Sequence, residues 1–300
     1  MTCQDSPAGP TAVALGILDG IHRGHQAVIA SAVAQRDLAP AVFTFTIVGR
    51  GAPSAKKDFY HLMTDSTKER ILEELGVQYL YSPEFEQFKE MEGRQFVRYL
   101  HDKVKARAIC VGDDFRFGRG AACSVKEMHR FCEELDIRLK VVSPVLQDGE
   151  RISSTQIRRL VEEGDIARAN LLLGHCFSYD FEVVRGRQLG RRLQLPTINQ
   201  KFPADFIQPK FGVYASYVLV DGRRYPSVTN IGVKPTVGSD CVSSETYIMD
   251  LCEDLYGRRV PVHLIEYLRA EERFASLEAL REAICRNADQ ARALAKPYLG

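Results

Sequence analysis

Two histidines three residues apart are the first sign of chemistry. His22 and His25 stand in ILDGIHRGH (17–25), after an apolar strand-like run and before a helical pattern. Gly20 and Gly24 allow a tight turn and close backbone approach to a ligand. Free N–H groups at a helix start favour phosphate, and two imidazoles beside them can donate to its oxygens. The plainer alternative is two histidines in a polar turn. A second segment, ISSTQIRRL (152–160), sets Ser153, Ser154 and Thr155 ahead of a helical pattern that carries Arg158 about one turn inside. Hydroxyls, helix-start N–H groups and a guanidinium make an anion clamp. Taken alone, that segment reads better as an N-cap with a solvated arginine; paired with the histidines across one sheet, it could hold the other end of a triphosphate. A third segment, GRQLGRRLQLPTIN (186–199), combines Gly186, Gly190, Arg191 and a fixed Pro196 with Thr197 and Asn199 on one side of an extended strand. Two such oxygen ligands suit a magnesium ion that also holds nucleotide phosphates, whereas a basic turn feeding an edge strand needs no ligand. No G-x-x-x-x-G-K-[ST] occurs, so ATP here is not held by the usual P-loop sequence.

These segments need a scaffold, and the chain supplies two kinds. The first half alternates apolar runs (12–18, 41–48, 77–82, 108–112, 137–143) with helical patterns, the sign of a parallel sheet covered on both faces. Residues 66–75 form one helix, ending at Gly76. Residues 125–135 form another, opened by the capping box of Ser124 and Glu127, with Val125, Met128, Phe131, Cys132 and Leu135 on one face. Two short helices cover about 155–173. After Gly174 the texture becomes strand-like, with runs at 181–186, 212–222, 225–233, 245–251 and 259–268 and a hairpin signal at Asp221-Gly222. Only the end is helical, capped by Ser276, with Leu277, Leu280, Ile284 and Ala291 sharing a face. The expectation is an α/β domain over residues 1–174 and an antiparallel β-barrel with a closing α-helix over 175–300.

Composition narrows the class. The 300 residues are 45% hydrophobic, and 40 basic against 39 acidic residues leave a net charge of +1. That balance argues against a nucleic-acid binder with a broad phosphate-neutralising surface, while it permits local basic pockets. No apolar run reaches the roughly 18 residues of a membrane span, and the first residues lack a secretory pattern. The eight cysteines are scattered without zinc spacing, which reads as reduced thiols in a cytoplasmic protein.

The H-x-G-H and I-S-S-T-x-x-R segments together resemble the nucleotidyltransferase superfamily, in which such sequences handle the phosphates of ATP. VGDDFRFGRG (111–120) resembles the flavin-handling loop of the prokaryotic bifunctional riboflavin kinase/FMN adenylyltransferase (FAD synthetase) family. QLPTIN is similar to that family's kinase signature, G-F-P-T-A-N. The likeness continues through PKFGVYAS, TNIGVKPTVG, ETYIMDL and LYGRRVPVHLIEYLR, covering roughly residues 12–294 in the expected order.

The resemblance implies a Rossmann-like nucleotidyltransferase domain followed by a riboflavin kinase barrel. ATP is the implied co-substrate of both, with riboflavin, FMN and FAD as substrates or products and Mg²⁺ as cofactor. In the first domain it implies ATP contacts from Gly16, Asp19, Gly20, Gly24, Ser153, Ser154 and Thr155, with His22, His25 and Arg158 stabilising adenylyl transfer. Phe115 and Phe117 contact the isoalloxazine or pack beneath their loop; Asp114 orients flavin or nucleotide, while Asp113 caps the turn. In the second domain it implies nucleotide contacts from Gly186, Gly190, Arg191 and Pro196, Mg²⁺-ATP on Thr197 and Asn199, and Glu245 as general base. Arg269 pairs with Glu271 or Glu272, or sits near the flavin. Two places depart from the family pattern: FTFTIVGRGAPS (43–54) lacks a Pro-His-Pro-like segment, and GAACS (120–124) lacks a basic residue and glycine. They leave open a kinase with impaired adenylyl transfer. A more distant alternative is an RNA-binding protein of the H-x-G-H class.

Overall fold

The computed structural model describes residues 2–3, 7–46, 60–186, 195–236 and 239–299. The chain divides into two compact units, Met1–Tyr60 with Lys68–Ser153, and His61–Thr67 with Ser154–Gly300.

In the first unit strands and helices alternate: β1 (Thr2–Cys3), β2 (Thr11–Leu15), α1 (Arg23–Val33), β3 (Ala39–Phe43), α2 (Asp65–Glu74), β4 (Tyr79–Tyr81), α3 (Gly93–Lys103), β5 (Ala106–Gly112), α4 (Val125–Glu133) and β6 (Arg138–Val142). A short hairpin, β7 (Leu146–Gln147) and β8 (Glu150–Arg151), follows. The first three residues of α2 are grouped with the other unit. Six strands form a parallel sheet in the order β1-β4-β3-β2-β5-β6. All five residues of β2 are buried, as a strand covered on both faces requires. The chain builds outward from β2 through β3 and β4, then returns to the other side of β2 with β5. That reversal opens a crevice beyond the carboxyl ends of β2 and β5, where open α/β sheets bind ligands. The helix signals hold locally. Ser124 and Glu127 form the capping box of α4, and Gly76 ends α2 at φ +87° with Val77 N–H on the Leu72 carbonyl at 3.0 Å.

The second unit begins with α5 (Ser154–Glu163) and α6 (Ile166–Leu173) and continues through β9 (Ser178–Tyr179), β10 (Val183–Val184), β11 (Thr197–Lys201), β12 (Gly212–Val220), β13 (Arg223–Thr236), β14 (Ser239–Ile248), β15 (Val262–Arg269) and α7 (Leu277–Leu299). The antiparallel order is β10-β11-β14-β13-β12-β15-β9. Its two end strands, β9 and β10, are separated by three residues in the chain, so one segment joins both edges of a sheet curled into a half-barrel. Asp221 (φ +48°) and Gly222 (φ +78°) make the two-residue β12–β13 turn with both central residues left-handed.

The curled sheet has an unusually hydroxylated interior. Ser227, Ser216, Thr229 and Thr246, all buried, are linked in that order at 2.7, 2.8 and 2.9 Å. On the outer face of the sheet, α7 buries Ala283, Asn287, Ala291 and Ala295 at four-residue spacing, small side chains that let it lie close to β12 and β13. Leu277, expected on that face, is 39% exposed. Leu280 and Ile284 instead border a cavity between helix and sheet.

Candidate active sites

The loop from Gly16 to His22 leaves β2 at the switch point. Thr44 Oγ1 donates to the Ile17 carbonyl at 2.8 Å and Gly16 N–H to the Phe43 carbonyl at 3.3 Å, tying the loop to the end of β3. Leu18 (φ +51°), Gly20 (φ +83°) and Ile21 (φ +37°) take left-handed conformations. For the β-branched Ile21 this is strained, and its complete burial holds it there. His22 then serves as N-cap of α1, with Nδ1 accepting the His25 N–H at 3.3 Å. The two imidazoles stack with centroids 3.6 Å apart and planes 19° from parallel.

Gly24 is small for a reason: a Cβ there would lie 3.0 Å from His22 Cε1 and 3.1 Å from Nδ1. The same point is 4.0 Å from the carbonyl of Ile152, so the start of the I-S-S-T segment adjoins the H-x-G-H turn. Burial, then His22, then Lys68 push the His25 pKa well below its ordinary 6.5, so the ring is neutral at pH 7. Lys68, buried on α2, was not legible in the sequence. Asp19 is also buried. Ser153 closes the first unit, while Ser154, Thr155 and Arg158 lie in the first two turns of α5 in the second.

Beside this loop, seven phenylalanines, including Phe43, Phe88, Phe115 and Phe117, wall a cavity of about 390 Å³ that also touches Gly16 and Ile17. Phe115 and Phe117 stack at 5.9 Å. Phe117 packs onward against Phe96 and Phe131, so it is both cavity wall and core. Asp114 is 70% exposed and pairs with Arg151 at 2.8 Å; Asp113 bonds the same guanidinium. The two acids thus tie the flavin-like loop to β8, and Asp114 is not among the cavity-wall residues.

In the second unit the β11–β14 and β13–β14 registers set Asn199, Glu245 and Asn230 side by side on three neighbouring strands. Thr197 Oγ1 donates to Glu245 Oε1 at 2.9 Å. Two cavities meet at Thr197. One, about 290 Å³, is walled by Pro196, Thr197, Ile248, Cys252 and Tyr256. The other, about 280 Å³, lies between the sheet and α7 and includes Thr197, Asn230, Glu245, Tyr247 and Arg269. Arg269 borders the second cavity, with Nε on Asn287 Oδ1 at 3.1 Å, and its Nη1 lies 3.8 Å from Glu272, one of the two partners the sequence left open. Glu271 instead accepts from Asn230 Nδ2 at 2.9 Å. Asn230 and Asn287 were missed because only strand register and helix packing bring them here. Gly186 lies against Asn199, where a Cβ would fall 2.5 Å from Nδ2. Gly190 and Arg191 lie outside the described residues.

Residues 4–156 match the sequence model of the family described as FAD synthetase, and residues 173–295 that of riboflavin kinase. The bifunctional riboflavin kinase/FMN adenylyltransferase of Escherichia coli (strain K12) is 33% identical, with 95% of this chain and 92% of the relative covered. The enzyme of that description from Pseudomonas fluorescens is 34% identical, covering 94% and 92%. A crystal structure from Streptococcus pneumoniae described as a macrolide-efflux protein superposes with a TM-score of 0.83 at 27% identity, covering 96% of each chain. Among the described residues no helix is long and apolar enough to cross a membrane. Both families match, so neither a kinase with impaired adenylyl transfer nor an RNA-binding protein is favoured. With a parallel-sheet domain, a curled antiparallel domain and this full-length likeness, the chain belongs to the bifunctional riboflavin kinase/FMN adenylyltransferase family.

Proposed function

We propose that the enzyme's two activities are divided between the residue sets described above, with residues 1–174 serving adenylyl transfer and 175–300 serving phosphorylation. In the kinase half, ATP takes the cavity beside Pro196 and Tyr256, and riboflavin the one beneath α7 with Arg269 on its wall. Gly186, Gly190 and Arg191 complete the nucleotide contacts. Glu245 receives the proton of the riboflavin 5′-hydroxyl as the γ-phosphoryl group transfers, because a primary alcohol is a poor nucleophile without a positioned base. Thr197 orients that carboxylate through its 2.9 Å hydrogen bond. The reading rests above all on the position of Thr197, on the wall of both cavities and bonded to Glu245.

The donor set of Thr197 Oγ1, Asn199 Oδ1 and nearby Glu245 is all oxygen, and Gly186, where a Cβ would clash with the Asn199 amide, lets that amide keep its place. Those residues fit Mg²⁺, held by Thr197 and Asn199, which when bound supplies charge neutralisation to the phosphates.

In the adenylyltransferase half, the FMN ring enters the phenylalanine-walled cavity against Phe115 and Phe117, with Asp114 acting on the loop that carries them. The FMN phosphate attacks the α-phosphorus of ATP, giving FAD and pyrophosphate. This step needs charge stabilisation rather than a covalent nucleophile. His22, His25 and Arg158 provide it, with Gly16, Asp19, Gly20, Gly24, Ser153, Ser154 and Thr155 holding the nucleotide. For Ser154, Thr155 and Arg158 the support is the sequence motif. The family's activities support small-molecule partners, the near-neutral charge supports the absence of nucleic acid, and the unclustered cysteines support a cytoplasmic setting. Thr197→Val tests the kinase half. It keeps the shape and removes the hydroxyl, so FMN formation should fall about 10²-fold while FAD formation from supplied FMN stays within twofold. Equal loss of both activities would overturn the division.

A further inference from the structure

Behind the kinase site the curled sheet turns a neutral, polar face inward. Side chains alternate along a strand, so Asn199 and Glu245 face one way while their neighbours Gln200, Ser244 and Thr246 face the other. Gln200 and Ser244 stand directly opposite each other across β11 and β14. Tyr179, on β9, reaches the same place. Burial raises the pKa of its phenol, and the hydroxyls of Ser244 and then Thr246 act against that rise at close range. Tyr179, Gln200, Ser244 and Thr246 are all fully buried.

Four hydroxyls of this face satisfy one another, in the chain from Ser227 through Ser216 and Thr229 to Thr246. Three groups beside the end of that chain do not. Among the described residues, Tyr179 Oη, Ser244 Oγ and Gln200 Oε1 are buried polar atoms with no hydrogen bond to the protein. The Gln200 amide is already committed: Nε2 donates to the carbonyls of Phe181 at 2.5 Å and Val260 at 2.8 Å, which fixes its other end as the acceptor Oε1. Each such atom is costly when left bare, and native interiors keep them few.

The chemistry of the three groups names their ligand. Two are hydroxyls, which donate or accept, and one is an amide oxygen, which only accepts. The set holds no carboxylate for a cation and no charged donor for an anion. A water molecule accepts from both hydroxyls and donates to the amide oxygen, and buried waters make about three bonds of this kind. We infer that Tyr179, Ser244 and Gln200 form a binding site for one ordered water, which ties β9, β11 and β14 together on the face opposite Asn199 and Glu245. By steadying β11 against β14 it holds those two residues in line; this part rests on the kinase reading above.

Crystals of the full chain that diffract far enough to place waters test the site directly. The expected result is a density peak about 2.6–3.2 Å from Tyr179 Oη, Ser244 Oγ and Gln200 Oε1. Three groups bonded directly to one another, or no peak within reach of all three, would overturn it. Melting curves of variants give an independent sign. With the water present, Tyr179→Phe and Ser244→Ala each strip it of a partner, so each should lower the Tm of this unit by about 2–6 °C. The double variant releases the water and should lose less than the sum. Without the water each change deletes an orphan hydroxyl, and a Tm that holds or rises would contradict the site. For the positioning role, kcat of FMN formation in Ser244→Ala should fall about tenfold, as for a shift of about half an ångström. KM for ATP and riboflavin should stay within twofold, and FAD formation from supplied FMN should not change. An unchanged kcat with the water in place would overturn that role, while Thr197→Val continues to test the kinase reading itself.

Discussion

Gly186→Ala is the sharpest single test of how the kinase site is held together. A Cβ at residue 186 would lie 2.5 Å from Asn199 Nδ2, 2.6 Å from Cγ and 2.7 Å from Oδ1. Ordinary contact begins near 3.4 Å, so the amide must retreat by about 0.9 Å. It has little freedom to do so: Asn199 is 9% exposed, in a strand paired with Val184 on one side and Glu245 on the other. Residue 186 itself is not in a left-handed conformation, so alanine acts through the contact and not through backbone strain. Misplacing a positioning group by about 1 Å costs on the order of 10²-fold in rate, or about 2.7 kcal/mol of transition-state stabilisation. Initial rates of FMN formation, followed by flavin chromatography at saturating riboflavin across an ATP and Mg²⁺ series, should fall by that factor. FAD formation from supplied FMN should not change. A variant with kinase kinetics within twofold of the parent would refute the claim that the Gly186–Asn199 contact sets the site.

Two further expectations concern pH and the limits of the kinase unit. The folded-state pKa of His25 lies below its unfolded value, so acid protonates the unfolded chain first. The associated stability is therefore complete above pH 6.5 and declines as pH falls toward the folded value. Melting curves between pH 7.5 and 5.5 should drop more steeply for the parent than for His25→Gln, and identical slopes would contradict the burial argument. A fragment of residues 175–300 loses Asn170, which bonds the Leu264 carbonyl at 2.9 Å and the Phe177 N–H at 2.7 Å. It also loses the Thr64 and Ser66 hydroxyls that bond buried Asp180 at 2.5 Å each. Each unsatisfied buried group costs about 1–3 kcal/mol. The fragment should unfold at lower urea than the kinase unit of the whole chain, and an equal midpoint would show these bonds to be dispensable.

What the sequence disclosed was mostly local. The Ser124–Glu127 capping box, the Gly76 stop and the Asp221-Gly222 turn each depend on residues a few positions apart, and each stands where expected. The His22–His25 pair was legible for the same reason, since an N-cap spans three residues. Lys68, Asn230, Asn287 and the Arg151 clasp on Asp113 and Asp114 were not. Sheet order, strand register or helix packing brings those groups to their sites across long stretches of chain, and no short motif encodes that. The final helix shows a subtler limit. Its leucines form a helical stripe in the sequence, but the sheet selects the alanine stripe for close contact and leaves Leu277 outside. Asp114, which the resemblance gives as orienting flavin or nucleotide, also pairs with an arginine on β8, a contact its own loop does not encode.

The central claim is that imidazoles in one unit and a carboxylate in the other carry two separable reactions. Purified His25→Ala and Glu245→Ala, each incubated with ATP and Mg²⁺ and either riboflavin or FMN, test it most directly. His25→Ala should make FMN from riboflavin at the parental rate and lose FAD formation by about 10²-fold or more, while Glu245→Ala should convert supplied FMN to FAD and make almost no FMN from riboflavin. Parallel loss of both products in either variant would contradict it.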